Sequence, residues 1–256
     1  MIHPTAVIDP SAKIAENVEV GAYSIIGAGV EIGEGTWIGP HVVIQGPTKM
    51  GKENKLFQFS SIGEVPQDKK FHGETSYLEI GDRNTIREFA TINRGTEDGG
   101  GTTRIGDDNW LMAYIHIAHD CQVGNNTIFA NNASLAGHAI IEDFVILGGF
   151  TLVHQFCKIG QHAFCGMGSA ITKDVPPYVM VNGSPAHAHG LNSEGIKRKG
   201  FSKDALKALR DAYKIIYRSK LTVEVAKVEL KSLAADFPEV QNMLTFLNES
   251  KRGILR

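Results

Sequence analysis

Aliphatic side chains recur at every sixth position of this chain. The series runs Ile2, Ile8, Ile14, Val20, Ile26, Ile32, Ile38, Ile44, Met50, Leu56 and Ile62 without a break. It returns at Ile80, Ile86 and Ile92, slips by one residue, and resumes as Ile105, Leu111, Ile117, Val123, Phe129, Leu135, Ile141, Leu147, Val153, Ile159, Cys165 and Ile171. Four residues after most of these sits a small or β-branched side chain, as at Ser24, Val30, Thr36, Val42, Thr127, Ala133, Ala139, Val145 and Thr151. Directly after the aliphatic, glycine is frequent (Gly21, Gly27, Gly33, Gly39, Gly51, Gly106, Gly124, Gly148, Gly160), and is expected to supply the tight bend of each repeat. A period of six is neither the 3.6 of a helix nor the 2 of a half-buried strand. A short strand plus a turn, repeated, is the pattern of a parallel β-helix. Three repeats close one triangular coil of 18 residues, with large and small side chains sharing a narrow interior.

Two segments leave the pattern. Residues 63–79 carry Glu64, Pro66, Asp68, Lys69, Lys70 and His72, and residues 93–104 carry Gly99-Gly100-Gly101 and the one-residue slip. Both are expected to be loops extruded from the coil wall, where binding residues often sit. The repeat ends near Asp174-Val175-Pro176-Pro177, and from Asn192 the pattern turns helical. Leu206, Leu209, Tyr213 and Ile216 share one helical face behind a Ser202 N-cap, Thr222 caps a second helix, and Pro238 opens a third. The expected organisation is a β-helix over 1–191 and a helical domain over 192–256. The repeat resembles that of the hexapeptide-repeat acyltransferases, and the resemblance implies a left-handed coil; the general crossover rule alone favours the right hand.

Composition changes this picture little. The formal net charge is −2, which argues against a general nucleic-acid binder. That balance hides a split: the β-helical part is acidic and the helical tail basic, which suits either a solvated helix surface or an anionic partner. Cys121, Cys157 and Cys165 form no C-x-x-C pair, so neither a disulfide framework nor a zinc ribbon is indicated. No secretory signal and no run of about 20 apolar residues is seen, so a cytoplasmic protein is expected.

The chemistry concentrates in the second half of the prism. Residues 18 apart stack on adjacent coils, about 4.8 Å apart. His119 therefore lies under Gly137 and Gln155, and Asp120 lies under His138 and Phe156. A histidine beside a carboxylate, facing a glycine and a second histidine, suits a general base with room for substrate. Other readings compete. His116-Ile117-Ala118-His119 has H-x-x-H form but lacks a convincing third metal ligand. Cys121 is two residues from His119, yet it falls in the small inward column and is expected to be core. Gly46 to Lys52 approaches a phosphate loop but ends in Glu53, where serine or threonine is required.

Taken together, the runs Ile115 to Cys121, Asn131-Asn132, Leu135 to His138, Val153 to Phe156 and Asp174 to Tyr178 resemble the UDP-N-acetylglucosamine O-acyltransferase family across essentially the whole chain. The resemblance implies a homotrimer with active sites between neighbouring prisms. It implies transfer of a 3-hydroxyacyl chain from acyl carrier protein to the 3-hydroxyl of UDP-N-acetylglucosamine, the first step of lipid A biosynthesis, with no cofactor and no metal. His119 matches the family's general base, Asp120 its orienting carboxylate and the Gly137 N–H its oxyanion donor. Asp68 and Lys70 match positions that hold the sugar nucleotide, and His116, His138, His154 and Gln155 match further substrate contacts. Asn192, Glu194, Arg198 and Lys199 match the uridine and phosphate end. Met167 matches the acyl-chain ruler, where glycine leaves a deeper groove, so a shorter chain is expected here. Asn93 replaces a histidine common in the family and receives no role.

Rival expectations are a different acceptor within the hexapeptide acyltransferases, a zinc-dependent carbonic-anhydrase-like prism, and a non-catalytic scaffold. The related N-acyltransferases carry an extra N-terminal domain, whereas the repeat here starts at Ile2.

Overall fold

The computed structural model describes residues 1–256. The six-residue period becomes a prism of three parallel sheets. The first face has nine strands, from Val7–Ile8 to Ala170–Ile171. The second has eight, from Lys13–Ile14 to Lys158–Ile159. The third has ten and starts at Glu19–Val20. Most strands are two residues long, and the second residue is the aliphatic of the repeat, turned inward: Ile26, Ile44, Ile62, Ile92, Ile117, Leu135 and Val153 are all at most 2% exposed. The small column also points in, with Ser24, Val30, Thr36, Val42, Ala133, Val145 and Thr151 fully buried. Buried hydroxyls in that column find hydrogen-bond partners, as Ser24 Oγ does at Gly39 O and Thr127 Oγ1 at Asn109 Oδ1 (both 2.7 Å), so their burial leaves no orphan polar group.

The register explains both the unbroken phase and the slip. Ile44 pairs with Ile62 and Ile117 with Leu135, a spacing of 18. Ile62 pairs with Ile92 and Ile92 with Ile117, spacings of 30 and 25. The first insertion thus adds two whole repeats and leaves the phase intact. The second adds one repeat and one residue, which is the slip. Both insertions leave the prism at the same edge, between the first and second faces, on adjacent coils.

The glycine column has a different role from the expected one. The left-handed residues at the bends lie two positions further on, and most are not glycine: Tyr23, His41, Phe59, Asp120, His138 and Phe156 all have φ between 56° and 64°. Glycines such as Gly21 and Gly33 have ordinary φ. A Cβ there would come 2.6 Å from the backbone of Gly39 or Gly51 on the next coil. Their absent side chain permits coil-to-coil approach.

Past the last full coil, Val179–Asn182 adds in parallel to the third face, and His187–Leu191 pairs with it antiparallel. This hairpin was not expected. It closes the prism end and leads into helices α1 (Ser193–Arg198), α2 (Lys203–Tyr217), α3 (Val223–Asp236) and α4 (Pro238–Glu249). Ser202 Oγ accepts the Ala205 N–H and Thr222 Oγ1 the Val225 N–H, so both expected caps form. Pro238 opens α4, where its missing N–H costs nothing. The chain end returns to the prism: the Asp174 N–H donates to Gly253 O and the Leu255 N–H to Asp174 O. No helix is long and apolar enough to cross a membrane.

Candidate active site

The bend between the first and second faces carries Ala118-His119-Asp120-Cys121. Asp120 sits in the left-handed conformation, which turns its carboxylate back beneath the His119 ring. His119 Nδ1 lies 2.8 Å from Asp120 Oδ2. Thr96, on the second insertion, donates its hydroxyl to the same oxygen (2.6 Å) and its N–H to Oδ1 (2.9 Å). Burial alone would push the Asp120 carboxyl up; the hydrogen bonds from His119 and Thr96 outweigh it and hold the group below the usual carboxylate range. The His119 ring lies directly against Gly137, where a Cβ would come 2.6 Å from Cε1 and 2.7 Å from Nε2. The Gly137 N–H has no partner within the chain, while its carbonyl accepts from Phe156.

Neighbouring groups converge. His138, on the next coil, brings Nε2 to 3.8 Å from Asp120 Oδ2 and stacks on Phe156 at 4.4 Å. Desolvation pushes its pKa down against the pull of Asp120. Asp68, on the first insertion, places Oδ2 4.0 Å from His119 Nε2. Asp68, Lys70, His138 and Phe156 border a cavity of about 930 Å³ roofed by both insertions. His116 is held by Thr91 Oγ1 at 2.8 Å, and its pKa is lowered by burial and by His119. His154 and Gln155 are exposed one coil above His138. Cys121 is fully buried and its thiol is pushed up to about 12 by burial, which suits core packing and not a nucleophile.

The remaining candidates lie on other edges. Asn192 caps α1 by accepting the Gly195 N–H and donates to His162 O. Lys199 Nζ lies 4.4 Å above the Phe144 ring, at the bend between the second and third faces. Glu194 pairs with Lys197, and Arg198 is exposed. Met167 is 77% exposed at the bend between the third and first faces. Within one prism these residues do not meet the His119 wall.

Ligand atoms of His119, Asp120 and His138 lie within 4.8 Å of one another, a separation a divalent cation can bridge. Both Asp120 oxygens are already engaged by Thr96 and His119, so a cation would have to displace these bonds. Sequence reasoning missed Thr96, whose contact crosses an insertion. It also gave Asn93 no role; Asn93 is buried and its Nδ2 donates to Val65 O at 3.0 Å, at the root of the loop carrying Asp68.

Comparison with known proteins shows the family of the chain. The chain is 58% identical over its whole length to acyl-[acyl-carrier-protein]–UDP-N-acetylglucosamine O-acyltransferase from Thiobacillus denitrificans, covering 99% of that protein. The chain belongs to the UDP-N-acetylglucosamine O-acyltransferase family. The namesake from Halorhodospira halophila is 55% identical over 100% of this chain and 99% of its own. The solved UDP-N-acetylglucosamine O-acyltransferase from Moraxella catarrhalis superposes with a TM-score of 0.98 at 51% identity, covering 100% of this chain and 99% of that one. The family model described as UDP-N-acetylglucosamine O-acyltransferase, domain 2, matches residues 174–255, and the bacterial transferase hexapeptide model matches 1–34 and 102–137. The β-helix and helical tail are thus both features of the family.

Proposed function

We propose that this chain transfers a 3-hydroxyacyl group from acyl carrier protein to the 3-hydroxyl of UDP-N-acetylglucosamine, the first step of lipid A biosynthesis, in the cytoplasm. The observation that carries the reading is the Asp120–His119 pair lying against Gly137. With Nδ1 bonded to Asp120, His119 keeps Nε2 free to accept a proton. It takes the proton of the sugar 3-hydroxyl as that oxygen attacks the thioester carbonyl. The Gly137 N–H donates to the developing oxyanion. Collapse breaks the C–S bond, and the imidazolium returns its proton to the leaving thiolate. Asp120 orients the ring and offsets the imidazolium charge. Asp68 and Lys70 hold the sugar, and His116, His138, His154 and Gln155 make further substrate contacts.

The left-handed coil and a homotrimer belong to this reading. Asn192, Glu194, Arg198 and Lys199, together with Met167, reach the cleft from a neighbouring prism, since they occupy other edges of their own. The lysine and arginine suit the pyrophosphate, and the basic helices suit an acidic carrier protein. Met167 fills the acyl groove and shortens the preferred chain. No cofactor is required, because the thioester supplies the driving force.

The test is acyl transfer from 3-hydroxyacyl carrier protein to labelled UDP-N-acetylglucosamine, with and without chelator. Transfer by the parent, untouched by chelator and reduced by more than about a hundredfold in His119→Ala, supports the reading. Chelator-sensitive turnover would favour a metal at His119, Asp120 and His138, the zinc-prism alternative. Absence of transfer with every chain length would point to a different acceptor.

A further inference from the structure

We propose that Thr96 is a positioning residue for the Asp120–His119 pair, and that the second insertion serves to deliver it. The proposal rests on the acyl-transfer reading for its consequence, but its geometry stands alone. Asp120 is held from three sides. Its N–H donates to Thr103 Oγ1 at 2.7 Å, which fixes the backbone. Thr96 donates its N–H to Oδ1 and its hydroxyl to Oδ2, the oxygen that also faces His119. A carboxylate with both oxygens tied to separate donors cannot rotate away from the imidazole.

The insertion is folded around this contact. Thr96 O accepts the N–H groups of Gly99 (3.0 Å) and Gly101 (2.8 Å), curling the loop back on itself. The curl lays Gly99 against the Asp120 carboxylate so closely that a Cβ there would fall onto its atoms. Asp120 and Thr96 are 3% and 6% exposed, so the contact is largely shielded from bulk solvent even though Thr96 borders the cavity. A loop that only decorated the wall would not need a glycine at this contact or a threonine aimed under the base.

Removing the hydroxyl leaves Oδ2 of Asp120 with His119 as its only donor. The carboxylate gains freedom to turn from His119, which loosens the Nδ1–H bond and lowers kcat. The groups facing His119 and Asp120 from other elements (Asp68 on the first insertion, His138 on the coil above, His116 before the bend) are the same in parent and variants.

The experiment compares the parent with Thr96→Val, Thr96→Ala and Thr96→Ser. Transfer kinetics separate kcat from KM, and the hydrogen-bonded His119 Nδ1–H is followed by proton NMR without substrate, its resonance identified by its loss in His119→Ala. Thr96→Val should lower kcat by about tenfold to a hundredfold, the scale of one hydrogen bond to an ionised group. KM for the sugar nucleotide should move less than about threefold, since uniform binding is unaffected. The His119 Nδ1–H resonance should move upfield as its bond to Asp120 loosens, and Thr96→Ser should restore both the resonance and kcat. Should the valine variant fail to fold, Thr96→Ala is read by the same criteria. An unmoved resonance with parental kcat in a folded variant overturns the proposal, as does a rise in KM alone, which a loop-anchoring role would produce. If the resonance moves as stated while the parent shows no transfer, the positioning role holds and the acyl-transfer reading falls.

Discussion

Gly137→Ala adds one methyl group at the point where the structure leaves no room for it. Gly137 has an ordinary φ, so alanine meets no backbone strain. The nearest atoms to the new Cβ are Cε1 and Nε2 of His119, at 2.6 and 2.7 Å, and the third is Nδ1 at 3.3 Å. The ring must withdraw by roughly 0.8 Å to reach ordinary van der Waals contact. It cannot do so and keep its 2.8 Å bond to the pinned Asp120 carboxylate. A misplacement of about 1 Å at a reacting group costs about a hundredfold in rate. The fold should tolerate the change, because the ring is a side-chain end that can swing outward. Expected results are therefore a kcat lower by about a hundredfold and a melting temperature within a few degrees of the parent. The deciding assay is the double-variant comparison by initial-rate acyl transfer. In a His119→Ala background the methyl group has nothing to strike, so Gly137→Ala should add little further loss. Near-parental activity in the single variant, or fully additive losses in the double, would refute the placement of the ring against Gly137.

Met167→Gly should shift the preferred acyl chain to greater length, read from relative kcat/KM across a ladder of 3-hydroxyacyl carrier proteins; an unchanged preference removes Met167 as the ruler. Asn93→Leu, which keeps bulk but loses the donor to Val65 O, should raise KM for the sugar nucleotide by about tenfold, the scale of one buried hydrogen bond, with a smaller effect on kcat. An unaltered KM would separate Asn93 from the Asp68 loop. His162 is buried between Phe144 and Tyr178, and desolvation, with Lys199 nearby, lowers its pKa to about 4 from an unfolded 6.5, despite Asp143. Between those values the unfolded chain binds a proton that the folded chain refuses, so stability falls as pH drops from about 6.5 towards 4, by up to about 3 kcal/mol. His162→Phe should flatten urea-unfolding midpoints over that window, and an unchanged slope would assign the acid sensitivity elsewhere.

Much of this protein is written in its period. A repeat of six fixes which side chains face inward, and a coil of 18 fixes which residues stack, so the column of Asp120, His138 and Phe156 and the placement of His119 beside Gly137 follow from counting along the chain. The helix caps at Ser202 and Thr222 were equally legible, because capping is local. Counting fails where the chain leaves the coil. Thr96 meets Asp120, and Asn93 meets Val65, only because insertions of different length emerge at the same edge and fold over it. The hairpin of Val179–Asn182 with His187–Leu191 was missed for a related reason: its antiparallel pairing has no period to announce it. The glycines show the same limit from the other side. Their positions were evident in sequence, but whether they serve a bend or a close approach depends on the distance to the next coil, which only the tertiary structure decides.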